Sequence, residues 1–239
     1  MLHLSDLSAH ATDGERSFRL HVGDIAVAAG EVLAITGESG SGKTMLMELV
    51  GLLRRPDRIG RMTLDLHGAP MLDLSGSWAA APGRRAAIRA RHMGIVLQDG
   101  GLIGWLTVRE HLDTVQRATD TRDIKWCATL LRLLRLDPVA DLRPAALSIG
   151  QRQRAALARA LAHRPALVLI DEPTAPLDTA LADQVVDLIV TLARDAGCCV
   201  LMTTHDRALI ARHALPAIDV VHDVTNSLSH VTRNAEVGS

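Results

Sequence analysis

The spacing of apolar residues changes along the chain and predicts strands that alternate with helices. Short, continuous apolar runs between polar or turn residues are typical of strands buried inside a parallel sheet, and a repeat of three or four residues indicates an amphipathic helix. Since the two alternate, we predict an α/β fold with a mostly parallel sheet. The predicted buried strands are 32–35, 94–97, 166–170 and 199–203, and the predicted helices are 44–53, 108–116, 124–136, 151–162 and 181–196.

Other segments have the period of two that is typical of antiparallel strands. Residues 1–35 read as short strands with turns between them, and residues 61–75 alternate around a turn at Gly68, which predicts a hairpin. The Ala- and Arg-rich segment 76–92 predicts a short helix. Residues 218–231 alternate loosely and suggest two antiparallel edge strands, and we expect the polar tail 232–239 to be disordered.

Composition narrows the class of protein. The chain has 239 residues, 48% of them hydrophobic and 22% charged, which suits one large globular domain. Aromatic residues are only 2%, so Leu, Ala, Val and Ile must build the core. A formal net charge of −1 gives no reason to expect nucleic acid as a partner. We see no N-terminal signal peptide and no apolar run long enough for a membrane helix.

The three cysteines and two lysines are informative through their positions. Cys198 and Cys199 lie in an apolar run and Cys127 in a helical pattern, without a CxxC spacing, so we expect reduced core cysteines. Lys43 and Lys125 are the only lysines, and Lys43 lies in a Gly-rich loop.

That loop, between a predicted strand and a predicted helix, matches the phosphate-binding pattern G-x-x-x-x-G-K-[ST]. Glycines let backbone N–H groups close around phosphates, and the following helix adds its N-terminal dipole. Lys43 would supply a charge for the β- and γ-phosphates of ATP, and the Thr44 hydroxyl would bind Mg²⁺. The predicted nucleotide-binding residues here are Gly37, Ser39, Gly40, Ser41, Gly42, Lys43 and Thr44.

Two acidic residues follow the strand at 166–170 and complete the predicted site. Ligands of open α/β sheets bind at the carboxyl ends of the strands. We therefore expect Asp171 to reach Mg²⁺, directly or through water, and Glu172 to orient and deprotonate the attacking water.

Five further segments resemble motifs of the ABC (ATP-binding cassette) ATPases, in the order of that family, and the resemblance covers residues 1–210. The segment that begins Leu147-Ser148-Ile149-Gly150-Gln151 is similar to the LSGGQ signature. The others are Gln98, similar to the Q-loop glutamine; Asp171-Glu172-Pro173-Thr174, similar to the Walker B end; Ala175-Pro176-Leu177-Asp178, in the place of the D-loop; and His205, similar to the switch histidine.

The resemblance implies a function for each motif. Two copies would meet head to tail, and each ATP would lie between one phosphate loop and the signature residues of the other copy. His205 would contact the γ-phosphate and hold Glu172 and the water in line, and Gln98 would sense the metal and the nucleotide. The resemblance adds Ser148, Gly150, Gln151 and Asp178 to the nucleotide-binding residues, and Thr44, Gln98 and Asp171 form the metal set.

The resemblance also implies an architecture and partners. It predicts a single P-loop NTPase domain over residues 1–231: a core with an antiparallel β lobe in 1–98 and 148–231, and a helical signature lobe in 99–147. Such a subunit works as a homodimer or pseudo-symmetric dimer, peripheral at the cytoplasmic face of the cell or inner membrane. An integral membrane permease subunit would be contacted through the helical lobe. An apolar cluster for that contact is Leu102, Ile103, Trp105 and Leu106.

Local similarity suggests a branch of the family. Leu72-Asp73-Leu74-Ser75 and Arg91-His92-Met93-Gly94 resemble the lipoprotein-release, macrolide-efflux and cell-division ATPases. A coiled-coil insertion, zinc cysteines or a second cassette, which would indicate DNA-repair, chromosome or ribosome-binding ABC proteins, are not seen.

Two departures keep open an alternative, a regulatory or mechanotransmitting nucleotide-binding ABC protein with little hydrolysis. Ile149 replaces a glycine of the signature. The usual upstream aromatic residue that stacks on adenine has no obvious Tyr, Trp or Phe in its place, where alignment puts His10, with Phe18 less likely.

Overall fold

The computed structural model describes residues 1–13, 16–66, 69–223 and 228–233. Its strands are β1 (Leu2–Asp13), β2 (Arg16–Val22), β3 (Ile25–Val27), β4 (Val32–Thr36), β5 (Arg58–Leu64), β6 (Leu72–Asp73), β7 (Met93–Val96), β8 (Leu167–Ile170), β9 (Cys199–Thr203), β10 (Ala217–Asp223) and β11 (Leu228–Arg233). Its helices are α1 (Lys43–Val50), α2 (Pro82–His92), α3 (Val108–Thr119), α4 (Ile124–Leu133), α5 (Ile149–Leu161), α6 (Thr179–Ala196) and α7 (Arg207–Arg212).

All the strands belong to one mixed sheet, in the order β6-β5-β1-β2-β11-β10-β4-β9-β8-β7, with β3 paired to β1. From β10 through β4, β9 and β8 to β7 every pairing is parallel. β1 pairs antiparallel with β2, β3 and β5. The predicted α/β class, with a parallel core and an antiparallel β lobe, is therefore confirmed. The carboxyl ends of β4, β8 and β9 meet at one edge of the parallel part.

A hydrophobic cluster covers each face of the parallel strands. One cluster combines α3, α4, α5 and α6 with alternate strand residues, and the other combines α1 with the long β1 and β2 strands. Cys198 belongs to the first cluster and Cys199 to the second, as the strand alternation predicts. Burial raises the pKa of the Cys198 thiol to about 12, so it remains a protonated thiol in the core, as expected from the sequence.

The predicted helices and buried strands are present, and their ends differ by a few residues. The helix predicted to reach Leu136 ends at Leu133, because Arg135 adopts a left-handed φ of 52° that a helix cannot continue. The prediction of only short strands in residues 1–35 is wrong for β1, which has 12 residues. It stays paired along its length, with β2 and β3 on one side and β5 on the other.

The two C-terminal strands pair antiparallel with each other, as predicted, but they are not at the edge of the sheet. β10 is parallel to β4, and β11 is parallel to β2, so the hairpin joins the parallel core to the β lobe. Its backbone thus lies beside the strand that leads into the phosphate loop. The predicted disorder is wrong for residues 232–233, which pair with β10 as the end of β11, and residues 234–239 of the predicted tail lie outside the described residues.

The segment 99–147 contains the two predicted helices and an exposed entry loop. Thr107 and Glu110 form a capping box that starts α3. Of the predicted apolar cluster, Leu102 packs against the core, whereas Ile103 and Trp105 are exposed, Trp105 at 73%. Among the described residues, the structure contains no helix that could span a membrane.

Candidate nucleotide site

The phosphate loop connects β4 to α1 with a backbone that only glycine tolerates at two positions. Gly37 has φ +146°, and a Cβ there would lie 2.5 Å from the Val220 carbonyl oxygen. Gly42 has φ +109° and caps α1, and a Cβ there would lie 2.7 Å from the Phe18 ring. The two glycines of the pattern are therefore required by their positive φ and by close packing against β10 and β2.

Lys43 is folded back over the loop that it follows. Its Nζ donates to the carbonyl oxygens of Gly37 and Glu38, at 2.9 Å each, and the residue is only 7% exposed. Burial lowers the pKa of Lys43, while the carboxylates of Glu172 and Asp171 oppose that shift. The ammonium group is thus held at the mouth of the loop, facing the two acids predicted for the same site.

A cavity of about 290 Å³ opens at the start of α1. Inside the loop, the Ser41 hydroxyl is buried without a hydrogen-bond partner, so it is available to a ligand. Thr44 is exposed at the cavity. The cavity is lined by Phe18, Ser39, Gly40, Gly42, Lys43, Thr44, Met45, Glu172 and His205.

The carboxyl ends of β8 and β9 position the acidic pair. Thr203 Oγ1 donates to Asp171 Oδ1 at 2.6 Å and accepts the Glu172 N–H at 2.9 Å. Glu172 has a left-handed φ of 45°, a conformation that is uncommon outside glycine and is found at functional sites. Its carboxylate accepts from Nε2 of His205. The structure thus brings Asp171, Glu172 and His205 together beside Lys43.

Thr203 is a positioning residue that the sequence analysis missed. The sequence did contain a signal, since Thr203 is a polar residue at the end of the apolar run 199–203, two residues before His205. In the structure it ends β9 and is 0% exposed. A buried hydroxyl at the end of a central strand needs partners, and the adjacent strand end offers them.

The signature residues lie elsewhere in the chain. Ser148 and Gln151 form a reciprocal capping box at the start of α5. The Gln151 N–H donates to Ser148 Oγ at 3.2 Å, and the Ser148 N–H donates to Gln151 Oε1 at 2.8 Å. Neither residue lines the cavity. Gly150 is buried, and a Cβ at this position would lie only 3.1 Å from the Leu181 side chain. Asp178 caps α6 by accepting from the Leu181 N–H at 2.9 Å. One copy of the chain therefore does not join these residues to its own phosphate loop.

Gln98 is exposed two residues beyond β7, and β7 pairs with β8, the strand that precedes Asp171. It is not among the residues that line the cavity. Its predicted contact with a metal stays a prediction.

Strand register separates the two candidates for the adenine contact. His10 is paired with Arg19, and Ala11 is paired with Phe18, so His10 and Phe18 point to opposite faces of the sheet. Phe18 faces Gly42 and lines the cavity, whereas His10 Nδ1 lies 2.6 Å from Asp57 Oδ2 on the exposed surface. The structure does not bring His10 to the phosphate loop.

Known proteins share this sequence pattern over most of the chain. The ABC transporter family profile matches residues 20–175. The chain is 35% identical over 216 residues to the lipoprotein-releasing system ATP-binding protein LolD of Shewanella frigidimarina (strain NCIMB 400), covering 89% of this chain and 87% of that protein. It is 41% identical over 197 residues to LolD of Anaeromyxobacter dehalogenans (strain 2CP-C), covering 81% and 79%.

Solved structures share the fold over nearly the full length. A dimeric ATP-binding cassette in a post-hydrolysis state, bound to ADP and Pi, superposes with a TM-score of 0.78 at 26% identity and covers 98% of this chain and 99% of its own. A dimeric bacterial ABC transporter cassette superposes with a TM-score of 0.76 at 28% identity, covering 92% and 94%. With the phosphate-loop pattern, with Asp171, Glu172 and His205 brought together beside Lys43, and with these relatives, the chain belongs to the ABC transporter family, as an ATP-binding subunit with ATPase activity.

Proposed function

We propose that this subunit binds Mg-ATP between two copies of itself and drives a lipoprotein-releasing membrane transporter. The observation that carries the two-copy arrangement is the separation within one chain of the phosphate loop from the signature helix start. Ser148, Gly150 and Gln151 lie at the N-terminus of α5, where the helix dipole favours an anion supplied from outside the chain. A second copy, placed head to tail, supplies that anion with its own bound nucleotide.

The residues of the cavity fit a triphosphate with a magnesium ion. The Gly37 and Gly42 backbones wrap the loop so closely that no Cβ has room, and the Ser41 hydroxyl lacks a partner. Thr44 and Asp171 offer the oxygen ligands that Mg²⁺ prefers. When bound, the ion would neutralise charge on the β- and γ-phosphates. We assign it to Thr44 and Asp171, with Gln98 completing the set.

The protein's own groups account for the hydrolytic step. Lys43 leaves the carbonyls of its loop to neutralise phosphate charge, since an anion competes with neutral acceptors for the ammonium. Glu172 accepts the proton of the attacking water, and His205 Nε2 keeps that carboxylate oriented. Thr203 fixes both acids by bonding to one side chain and one backbone N–H. Asp178 is assigned to the interface between the two copies.

We assign the base contact to Phe18 in place of His10, because only Phe18 lies on the face of the phosphate loop. Phe18→Ala should weaken ATP binding about 5- to 150-fold, the range set by base–aromatic stacking of roughly 1–3 kcal/mol. His10→Ala is the matched control, since it removes an exposed ring from the adjacent strand; its affinity should stay near that of the wild type. Nucleotide titration of the purified proteins measures both. Equal affinities for Phe18→Ala and wild type would remove Phe18 from the site.

The membrane partner we propose is a permease with four long helices and a large external domain, contacted from the cytoplasmic face. Support comes from the LolD relatives, which are named as ATP-binding proteins of lipoprotein-releasing systems. We define residues 99–106 as the docking loop. It exposes Ile103 at 39% and Trp105 at 73% of their surface, although it is otherwise attached to the core through Leu102. Exposed aromatic side chains are common at the energetic centres of protein interfaces.

Replacing both Ile103 and Trp105 by Ser should reduce partner-stimulated ATPase at least about tenfold, since truncation of a Trp at the energetic centre of an interface costs about 2 kcal/mol or more. Basal ATPase should be unchanged, because neither side chain lines the cavity. Leu102 is left intact, as its replacement would disturb the core. Ile124→Ser is the matched control: Ile124 is 68% exposed on α4 of the same lobe. Normal stimulation of the double variant in proteoliposomes with the permease would contradict this docking surface.

A further inference from the structure

A buried histidine lies under the docking loop and is not explained by nucleotide chemistry. His111, on the first turn of α3, is 2% exposed. Its Nδ1 lies 2.7 Å from the Thr107 carbonyl oxygen, and its Nε2 lies 2.8 Å from the Ile103 backbone nitrogen. The ring therefore bridges the start of the helix and the loop that carries Trp105.

The chemistry of the two partners fixes the tautomer of the ring. A carbonyl oxygen can only accept, so Nδ1 must carry the proton and donate to Thr107. A backbone N–H can only donate, so Nε2 must be unprotonated and accept from Ile103. A neutral imidazole satisfies both bonds, whereas a protonated ring presents N–H to N–H at Ile103 and loses that bond.

Burial of the ring favours its neutral form, and the charged groups around it act in opposite directions. Burial lowers the pKa of His111; the bond to Thr107 opposes that shift, and Arg159 from α5 adds to it, while Glu110 on α3 opposes it. The Glu110 carboxylate is engaged in the helix cap, accepting from the Thr107 N–H at 2.7 Å. The pKa of His111 therefore lies below that of an ordinary histidine, and the neutral ring is favoured.

The other end of the docking loop is tied to the signature helix. Arg159 on α5 donates from Nη2 to the Ile95 carbonyl at 2.7 Å and makes a longer contact of 3.4 Å with the Gly100 carbonyl. Gly100 and Gly101 both have positive φ, which leaves the loop dependent on such bonds for its shape. The loop is thus held at Gly100 by α5 and at Ile103 by α3.

We propose that His111 is a positioning residue that holds the docking loop in the shape that receives the membrane subunit. The neutral ring fixes the backbone at Ile103, and this places the exposed side chains of Ile103 and Trp105 on the surface. When the ring is protonated, the loop is released and the ATPase is uncoupled from its partner, while the nucleotide site stays intact. This inference rests on the proposed docking function.

Hydrogen exchange of the Ile103 amide in the isolated full-length subunit tests the bond itself. At pH 7.5 the amide should be protected in the wild type, and protection normalised for intrinsic exchange should fall about tenfold in His111→Phe, which fills the space without accepting. His111→Gln, whose amide oxygen can accept, should restore it. The Leu134 amide is the internal control, because it donates to the Leu130 carbonyl at 2.9 Å in the core of the same lobe and should remain protected throughout. Unchanged Ile103 protection in His111→Phe would overturn the inference.

Acid should act on the wild type in the same way. Normalised protection at Ile103 should fall in the wild type as the pH is lowered from 7.5 until the NMR signals of the His111 ring show it protonated. No comparable fall should occur at Leu134, and protection should stay high in His111→Gln, which cannot be protonated. A wild-type profile parallel to that of His111→Gln would reject the neutral-ring bond.

Coupling is then measured with the permease in proteoliposomes at pH 7.5. His111→Phe should lose partner stimulation about as fully as the Ile103/Trp105 double variant while retaining basal ATPase, and His111→Gln should recover it. If Ile103 protection is lost but stimulation remains normal while the double variant is uncoupled, His111 shapes the loop without serving docking, and the inference fails alone. If the double variant also remains coupled, the docking surface itself is wrong.

Discussion

Glu172→Gln is expected to lower kcat by about 10²–10⁴-fold, the range that a positioned general base contributes. The substitution keeps the shape and the hydrogen-bonding reach of the side chain. It also leaves the Glu172 N–H bond to Thr203 and the Asp171 carboxylate in place. ATP binding should therefore remain, and the loss should appear in kcat and not in affinity. Steady-state ATPase kinetics and nucleotide titration on one preparation separate the two quantities.

A matched variant controls for the loss of a carboxylate. Glu48→Gln removes an acid of α1 that forms a surface ion pair with Arg54, and it should retain wild-type kcat. A Glu172→Gln enzyme that turns over at the wild-type rate would show that Glu172 is not the base, and would favour a different residue at this strand end.

Lys43→Ala should both weaken ATP binding and reduce hydrolysis, by about 10²-fold or more in kcat/KM, because the ammonium is the only lysine charge at the loop. Its hydrogen bonds in the structure go to two loop carbonyls, and the side chain does not contribute to a hydrophobic cluster, so the fold should survive. Circular dichroism and thermal melting check folding, and kinetics with isothermal titration measure the loss.

Lys125→Ala is an unusually direct control, since Lys43 and Lys125 are the only lysines of the chain. Lys125 lies on α4, exposed and remote from the residues of the cavity. It should leave affinity and turnover unchanged. Folded Lys43→Ala protein with normal turnover would rule out the phosphate-loop assignment.

The sequence predicted best those features that depend on local chemistry. In a phosphate loop of this type, fixed positions require glycine, lysine and a hydroxyl side chain, so the pattern alone located the loop from Gly37 to Thr44. Asp171 and Glu172 followed from the rule that ligands bind at the ends of parallel strands. Family resemblance then assigned Gln98 and the signature residues, whose contacts within one chain do not reveal their function.

Features that depend on pairing between distant strands were beyond the sequence. Alignment at the expected distance before the loop selected His10 on β1. The register of β1 with β2 turns His10 to the opposite face of the sheet and directs Phe18 of β2 to the loop, and a shift of one residue would exchange the two faces. The C-terminal hairpin has the polar alternation of an edge, but its neighbours β4 and β2 come from the other end of the chain. Likewise, Leu102 and Trp105 belong to one apolar run, and only packing divides them into core and surface.

The central claim is that ATP joins two copies of the chain through one phosphate loop and the partner signature. Light scattering coupled to size-exclusion chromatography of Glu172→Gln tests it most directly, because ligand bound across an interface stabilises the dimer while hydrolysis is blocked. With saturating Mg-ATP the measured mass should double from the monomer value of 25.6 kDa, and it should return to the monomer value with ADP or in the Glu172→Gln/Ser148→Arg protein, which places bulk and charge at the signature. A mass that remains at the monomer value in saturating Mg-ATP would contradict the claim.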